Sequence, residues 1–328
     1  MRVKKNYIKI ALWILLALLL FLICFGLLFL WENKSDTVNN NNTNEEIDGV
    51  YFNDKLYTEK ENILNVLIIG VDKFQKEIET NAYNNNQQAD FLMLLTLDRE
   101  NKTYSAIHIN RDTMAKIPVL GLNNEDAGTI DGQLALSHTY GDGGKSSCSN
   151  TVYAVSDFLY KTKIDHYLKI TMDAVPKLND AVGGVTLRLL DDFSKSFPQM
   201  IKGNTVKLSG DMALEYVRGR SGLENNTNIS RMERQRQYIE SFRKTMESKN
   251  DNEELLANIL NNISNYTLSD CTGQELLQIY KDCSNYEYLG ITTIEGTSKV
   301  GNEFMEFYVD EEKLKNLVVQ KFYNLYEK

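Results

Sequence analysis

Five of the ten arginines in this 328-residue chain, Arg218, Arg220, Arg231, Arg234 and Arg236, fall within one short stretch, although the chain otherwise prefers lysine. A guanidinium is a flat fork of donors that meets two oxygens of a phosphate together, whereas a lysine ammonium is a point charge. Only Glu224 and Glu233 accompany these arginines. A solvated helix face mixes lysine with glutamate at i,i+4, so the pattern points to an anion site. On a helical wheel Arg231, Arg234, Gln235 and Tyr238 share one sector at an edge of the apolar face, where they can line a cleft, while Arg236 and Arg243 lie on the opposite edge.

A second group stands at the ends of apolar runs. Asp72 follows the first run (65–70), Asp90 precedes the second (91–97), and Arg111 and Asp112 follow the third (104–109). Taken singly, each reads as an ordinary turn residue. Two carboxylates beside an arginine cluster have the composition of a magnesium–phosphate site, in which hard oxygens hold the cation and guanidiniums hold the non-bridging oxygens.

The elements that must position these groups follow from the pattern. Runs 65–70 and 91–97 are continuous and apolar, as in buried strands, and 104–109 reads as a third strand. The link 98–102 is short and polar, so the second and third strands form an antiparallel hairpin that brings Asp90 and Arg111 to one end. A first strand parallel to the third adds Asp72. Helical spacing is read over 151–160, 173–181, 210–218, 230–247, 253–263 and 310–326, and further strands over 167–171, 185–190, 288–293 and 304–309. Strands interleaved with helices imply an α/β fold, a central mixed sheet flanked by helices as an α/β/α sandwich.

Residues 10–31 carry no charge and span a hydrocarbon core of about 30 Å as a helix. Arg2, Lys4, Lys5 and Lys9 precede the run, Trp13 and Trp31 stand near its ends, and Glu32 follows without a small-residue cleavage site. The sequence therefore predicts an uncleaved single-pass anchor with a cytoplasmic N-terminus (1–9), a transmembrane helix (10–31), an Asn-rich extracytoplasmic linker (32–62) and a folded domain (63–328). A net charge of −9 argues against non-specific nucleic-acid binding. Cys148, Cys271 and Cys283 show no zinc spacing, and a Cys271–Cys283 bridge stands beside the alternative of unpaired thiols. His108, His138 and His166 are scattered.

In order and spacing, the run from Asn65 to Asp72 (NVLIIGVD), Ala89-Asp90, Asn110-Arg111-Asp112-Thr113, Gly183-Gly184-Val185, the run from Ala213 to Arg220 (ALEYVRGR) and the run from Arg231 to Gln235 (RMERQ) resemble the LytR–CpsA–Psr family. The resemblance covers essentially all of 63–328. It implies a phosphotransferase of Gram-positive envelopes that moves a glycopolymer, such as wall teichoic acid or capsule, from an undecaprenyl-pyrophosphate carrier to peptidoglycan. It implies Asp72 and Asp90 as Mg2+ ligands. Arg111, Arg218, Arg220, Arg231, Arg234 and Gln235 are the implied pyrophosphate-binding set, with Gln88 beside them, and Arg111, Asp90, Arg218 and Arg220 the implied catalytic set. An apolar pocket inside the domain is expected to take the lipid tail.

Three positions depart from that pattern. Gln88 stands where the family usually has arginine, Asn110 where it has proline, and Asn228 where it has an acidic residue. Gln88 removes a cation, and loss of one oxyanion donor costs on the order of 100-fold in rate. A catalytically weak paralogue that holds polyprenyl phosphates is therefore the alternative. A transcriptional regulator is the third class, opposed by the expected topology and the acidic charge. The group that takes the acceptor's proton is left open between Asp90 and Asp112.

Overall fold

The computed structural model describes residues 50–72, 85–219, 227–249, 253–302 and 304–326. In chain order these form β1 (Val50–Phe52), β2 (Lys55–Glu59), β3 (Ile63–Val71), β4 (Phe91–Asp98), β5 (Thr103–Ile109), β6 (Met114–Leu120), β7 (Asp126–Gln133), a 3₁₀ segment (Leu134–Thr139) and α1 (Lys145–Phe158). Then come β8 (His166–Thr171), α2 (Ala174–Ala181), β9 (Val185–Arg188), β10 (Thr205–Leu208), α3 (Gly210–Arg218), α4 (Asn228–Glu247) and α5 (Glu253–Ile263). The chain continues through β11 (Thr267–Ser269), α6 (Gly273–Asn285), β12 (Glu287–Thr293), β13 (Gly296–Val300), β14 (Met305–Val309), α7 (Glu311–Phe322) and β15 (Tyr323–Leu325).

The central sheet has the order β11-β8-β3-β4-β5-β12. β4 is antiparallel to both β3 and β5, while β8 runs parallel to β3 and β12 parallel to β5. Successive side chains point to opposite faces of a strand, and here both faces are covered. Leu67, Ile69, Val71, Leu92, Leu94, Ile107 and Ile109 pack on one side with Ala154 and Val155 of α1 and Leu314 and Val318 of α7. Val66, Leu97 and Tyr104 pack on the other with Ile279 of α6. Burying each such Leu or Ile contributes roughly 1.5–3 kcal/mol, which is why these strands are apolar at nearly every position. The expected mixed sheet flanked by helices is therefore present. A second core joins α2, α3, α4 and α5 to the β9–β10 hairpin through Val185, Leu187, Met212, Tyr216, Tyr238 and Ile259.

Because β3 and β5 point the same way and β4 the opposite way, the end of β3, the start of β4 and the end of β5 share one edge of the sheet. The Asp90 N–H donates to the Gly70 carbonyl across that edge at 2.8 Å. A Cβ on Gly70 would stand 2.7 Å from the Phe91 Cβ, so the absence of a side chain lets the two strand ends close on each other.

Several boundaries differ from the sequence reading. Residues 50–59, assigned to the linker, form β1 and β2, and β15 pairs with β2. Residues 185–188 leave the central sheet and pair with β10. The β6–β7 hairpin and α6 are additional. The final helix stops at Phe322. Cys271 and Cys283 are both free thiols, partly buried against the β3–β4–β5 face, so the bridge is not formed. Among the described residues no helix is long and apolar enough to cross a membrane. The expected anchor at 10–31 lies outside the described residues, as does Arg220.

Candidate active site

The shared edge of β3, β4 and β5 carries the acidic and basic groups together. Arg111, two residues beyond β5, donates from Nη1 to the Asp90 carboxylate. Its Nη1 also lies 3.4 Å from Gln88 Oε1, and its Nε donates to Asp112 Oδ1 at 3.2 Å. Asp112 is fixed in turn by Gln133 Nε2 at 3.1 Å, and that amide also donates to the Met305 carbonyl at 2.7 Å. At the end of β3, Asp72 meets Arg218, the last residue of α3, at 3.3 Å. From α4, Arg231 Nη2 reaches the Asp90 carbonyl at 3.5 Å and Asn228 Oδ1 at 2.6 Å. The side chains of Arg111 and Asp90 are each 16% exposed, those of Arg218 and Asp72 about half exposed. The cluster therefore grades from an enclosed floor to an open rim.

Arg234 and Gln235 occupy a different place from the one the helical wheel gives them. Their sector is the buried face of α4, not its edge: Arg231, Arg234, Gln235 and Tyr238 are all buried. The last carbonyls of a helix have no partner within it. At the end of α3 these carbonyls point at α4. Arg234 Nε donates to the Tyr216 carbonyl at 2.9 Å and Nη2 to the Gly219 carbonyl at 2.6 Å, while Nη1 pairs with Asp191. Gln235 Nε2 donates to the Val217 carbonyl at 3.1 Å. Arg234, 1% exposed and stacked on Phe193, thus directs its nitrogens into the scaffold. The two residues clamp the backbone on both sides of Arg218 and so aim its side chain at Asp72.

Sequence reasoning missed two participants. Gln133 holds Asp112, and its position in a hairpin without apolar periodicity gave no signal. His108 lies behind the edge against Phe91 at 4.8 Å, and burial together with Arg236 and Arg231 pushes its pKa down to about 3, so it is a neutral wall. At the opposite end of β8, His166, Asp270 and Cys271 bring ligand atoms within 4.8 Å of one another. The N-terminus of α6 stands beside them with its positive dipole, which opposes a cation.

Among the described residues the edge sets three guanidiniums, Arg111, Arg218 and Arg231, against three carboxylates, Asp72, Asp90 and Asp112. Asp72 and Asp90 supply hard oxygen donors of the kind Mg2+ takes one or two at a time, leaving its other positions to water and phosphate. The donor set thus fits magnesium.

An α/β/α domain whose strand ends collect arginines and carboxylates offers forked donors and hard oxygens at one edge of its sheet. The chain belongs to the LytR_cpsA_psr family, whose sequence profile matches residues 27–322. Among curated relatives, the polyisoprenyl-teichoic acid–peptidoglycan teichoic acid transferase TagU of Halalkalibacterium halodurans is 32% identical over 54% of this chain and 51% of its own. Biofilm regulatory protein A of Streptococcus mutans is 29% identical over 71% of this chain and 58% of its own. The chain thus spans about half to three-fifths of the length of these relatives. Among solved structures, TagT bound to LI-WTA superposes with a TM-score of 0.61 at 18% identity, covering 79% of this chain and 89% of that one. This likeness shows the shared fold.

Proposed function

We propose that the protein transfers a glycopolymer from a polyprenyl-pyrophosphate carrier to peptidoglycan, by phosphotransfer at the shared edge of β3, β4 and β5. The observation that carries this reading is the convergence of Arg111, Arg218 and Arg231 on Asp72 and Asp90. The relatives named as teichoic acid transferases support the class of polymer. In this reading residues 10–31 anchor the chain with its N-terminus in the cytoplasm, and the domain works outside, where lipid carrier and wall are both within reach.

Asp72 and Asp90 would hold Mg2+, which when bound offsets the charge of the pyrophosphate oxygens. Arg111 and Arg231 would take the non-bridging oxygens from the floor of the site and Arg218 from the rim, with Arg220 joining them as the family resemblance implies. Their donors are preorganised: Asp112 and Gln133 fix Arg111, and Arg234 and Gln235 fix the backbone of Arg218. Such preorganisation stabilises developing charge without reorganisation during the reaction. A wall-sugar hydroxyl would attack the phosphorus attached to the polymer, leaving the lipid monophosphate. The hydroxyl proton would go to one of the two carboxylates that Arg111 touches, Asp90 or Asp112.

The test is release of undecaprenyl phosphate from a lipid-linked donor in the presence of peptidoglycan fragments. Arg111→Ala and Asp90→Ala are each expected to lower turnover about 100-fold or more. If both leave it unchanged, the mechanism is wrong. Gln88 favours the second reading, a paralogue that binds polyprenyl phosphates with weak transfer, since it faces Arg111 as a hydrogen-bond acceptor and brings no cation. A large gain in turnover on Gln88→Arg would identify a weakened catalytic site.

A further inference from the structure

The N-terminal turn of α4 is tied to the end of β5 through two asparagine side chains. Asn228 Nδ2 donates to Asn110 Oδ1 at 2.7 Å, and Asn228 Oδ1 accepts from Arg231 Nη2 at 2.6 Å. Asn110 cannot turn away, because the same Oδ1 accepts the Asp112 N–H at 2.9 Å and its carbonyl accepts the Thr113 N–H at 3.0 Å. Asn110 is 5% exposed and Arg231 4%. Arg231 sits one helical turn beyond Asn228, so the amide sees the guanidinium from its own helix and Asn110 from the sheet. An amide does both, whereas a carboxylate lacks the donor for Asn110 and an ammonium lacks the acceptor for Arg231. The amide is also neutral, so it orients the guanidinium without cancelling its charge.

We infer that Asn110 and Asn228 are positioning residues that set the direction of Arg231 toward a pyrophosphate and couple it to the Arg111–Asp112 segment. The inference rests on reading the shared edge as a pyrophosphate site. It makes Asn228 a device whose effect on the anion passes through Arg231, while Asn110 also holds the Asp112 N–H beside Arg111.

The experiment uses the full chain in detergent with farnesyl pyrophosphate as the probe, its affinity measured by calorimetry beside a thermal melt. Asn228→Ala and Asn110→Ala are each expected to weaken binding about 10-fold, the scale of one misdirected charge-assisted hydrogen bond. The double variant should weaken it no further than Asn110→Ala alone. In an Arg231→Ala background Asn228→Ala should alter affinity by no more than about 2-fold, since the guanidinium it aims is gone. A purely structural role would lower the melting temperature in both backgrounds and leave the affinity of folded protein alone. Unchanged affinity in both single variants overturns the inference, as does a loss of equal size with and without Arg231, or an absence of binding by the wild type. Should the wild type release no undecaprenyl phosphate while these affinities shift as expected, the transfer reading falls and this inference stands.

Discussion

Arg111 donates to Asp90 and Asp112 and lies beside Gln88, using the fork of its guanidinium in more than one direction. Lysine retains the charge and loses the fork. Arg111→Lys is therefore expected to cost at least 10-fold in turnover of the lipid-linked donor, with little change in melting temperature. Removing magnesium with EDTA should abolish turnover, and adding Mg2+ back should restore it. Gln88 and Asn228 also gain meaning together. The resemblance expects a cation at the first and an anion at the second, so the two neutral residues leave the net charge of the edge where it was. Two buried histidines give the protein an acid limit. Burial, with Arg236 and Arg231, holds His108 down to about 3, and burial with Lys169 holds His138 down to about 4. Both values lie below that of an unfolded histidine near 6.5, so as pH falls the unfolded chain takes up protons first. Stability is full above about pH 6.5 and declines toward pH 4 at about 1.4 kcal/mol per unit for each histidine. Urea titrations between pH 4.5 and 7 should show this slope, and His108→Leu should remove about half of it.

At the scale of elements, the interlock of α3 and α4 is what holds Arg218 in place. Arg234→Ala would leave Asp191 without its buried partner and the Tyr216 and Gly219 carbonyls without donors, at an expected cost of about 3–5 kcal/mol. Gln235→Ala removes one neutral hydrogen bond and should cost about 1 kcal/mol. Denaturant midpoints check both, and Arg234→Met with Asp191→Leu should recover only the part of the larger loss that comes from the unpaired Asp191, since the two carbonyls still lack donors. This interlock was hard to read in advance for a physical reason. The wheel placed Arg231, Arg234, Gln235 and Tyr238 on one sector correctly, but polar side chains suggest an open edge, and nothing in a linear pattern shows that the carbonyls ending one helix will need donors from the next. β3, β4 and β5 were legible because burial on both faces writes continuous apolar runs. β6 and β7 were not, since β7 is exposed over most of its length and β6 contains Pro118. α6 did carry a signal, the Thr272–Glu275 capping box, which its weak apolar run obscured.

Over the whole molecule, the central sheet gathers the site from segments far apart in sequence: Asp72, Asp90, Arg111, Arg218 and Arg231 meet only once β3, β4, β5 and the α3–α4 pair are assembled. The small sheet β1-β2-β15 closes the domain separately. Tyr323, Asn324 and Leu325 pair with Glu59, Thr58 and Tyr57, and the buried Tyr323 ring joins the main core. Ending the chain at Phe322 is expected to destabilise the domain by about 2–3 kcal/mol, the burial of one aromatic side chain together with a short ladder. A lower denaturant midpoint would register it, with the site's affinity for farnesyl pyrophosphate retained below the transition.

That closure also imposes an order on synthesis. The hairpin of β1 and β2 emerges early, yet its third strand, β15, follows every strand of the central sheet in the chain. Until then the edge of β2 presents unpaired N–H and C=O groups, a template for any other extended segment. The loop that must be closed spans nearly the whole domain, so its entropy is met only after the central sheet has shortened the path between the two ends. A chain that stopped before β15 would have every described site residue and still carry an open β2 edge, which makes β15 a seal set after the site is assembled.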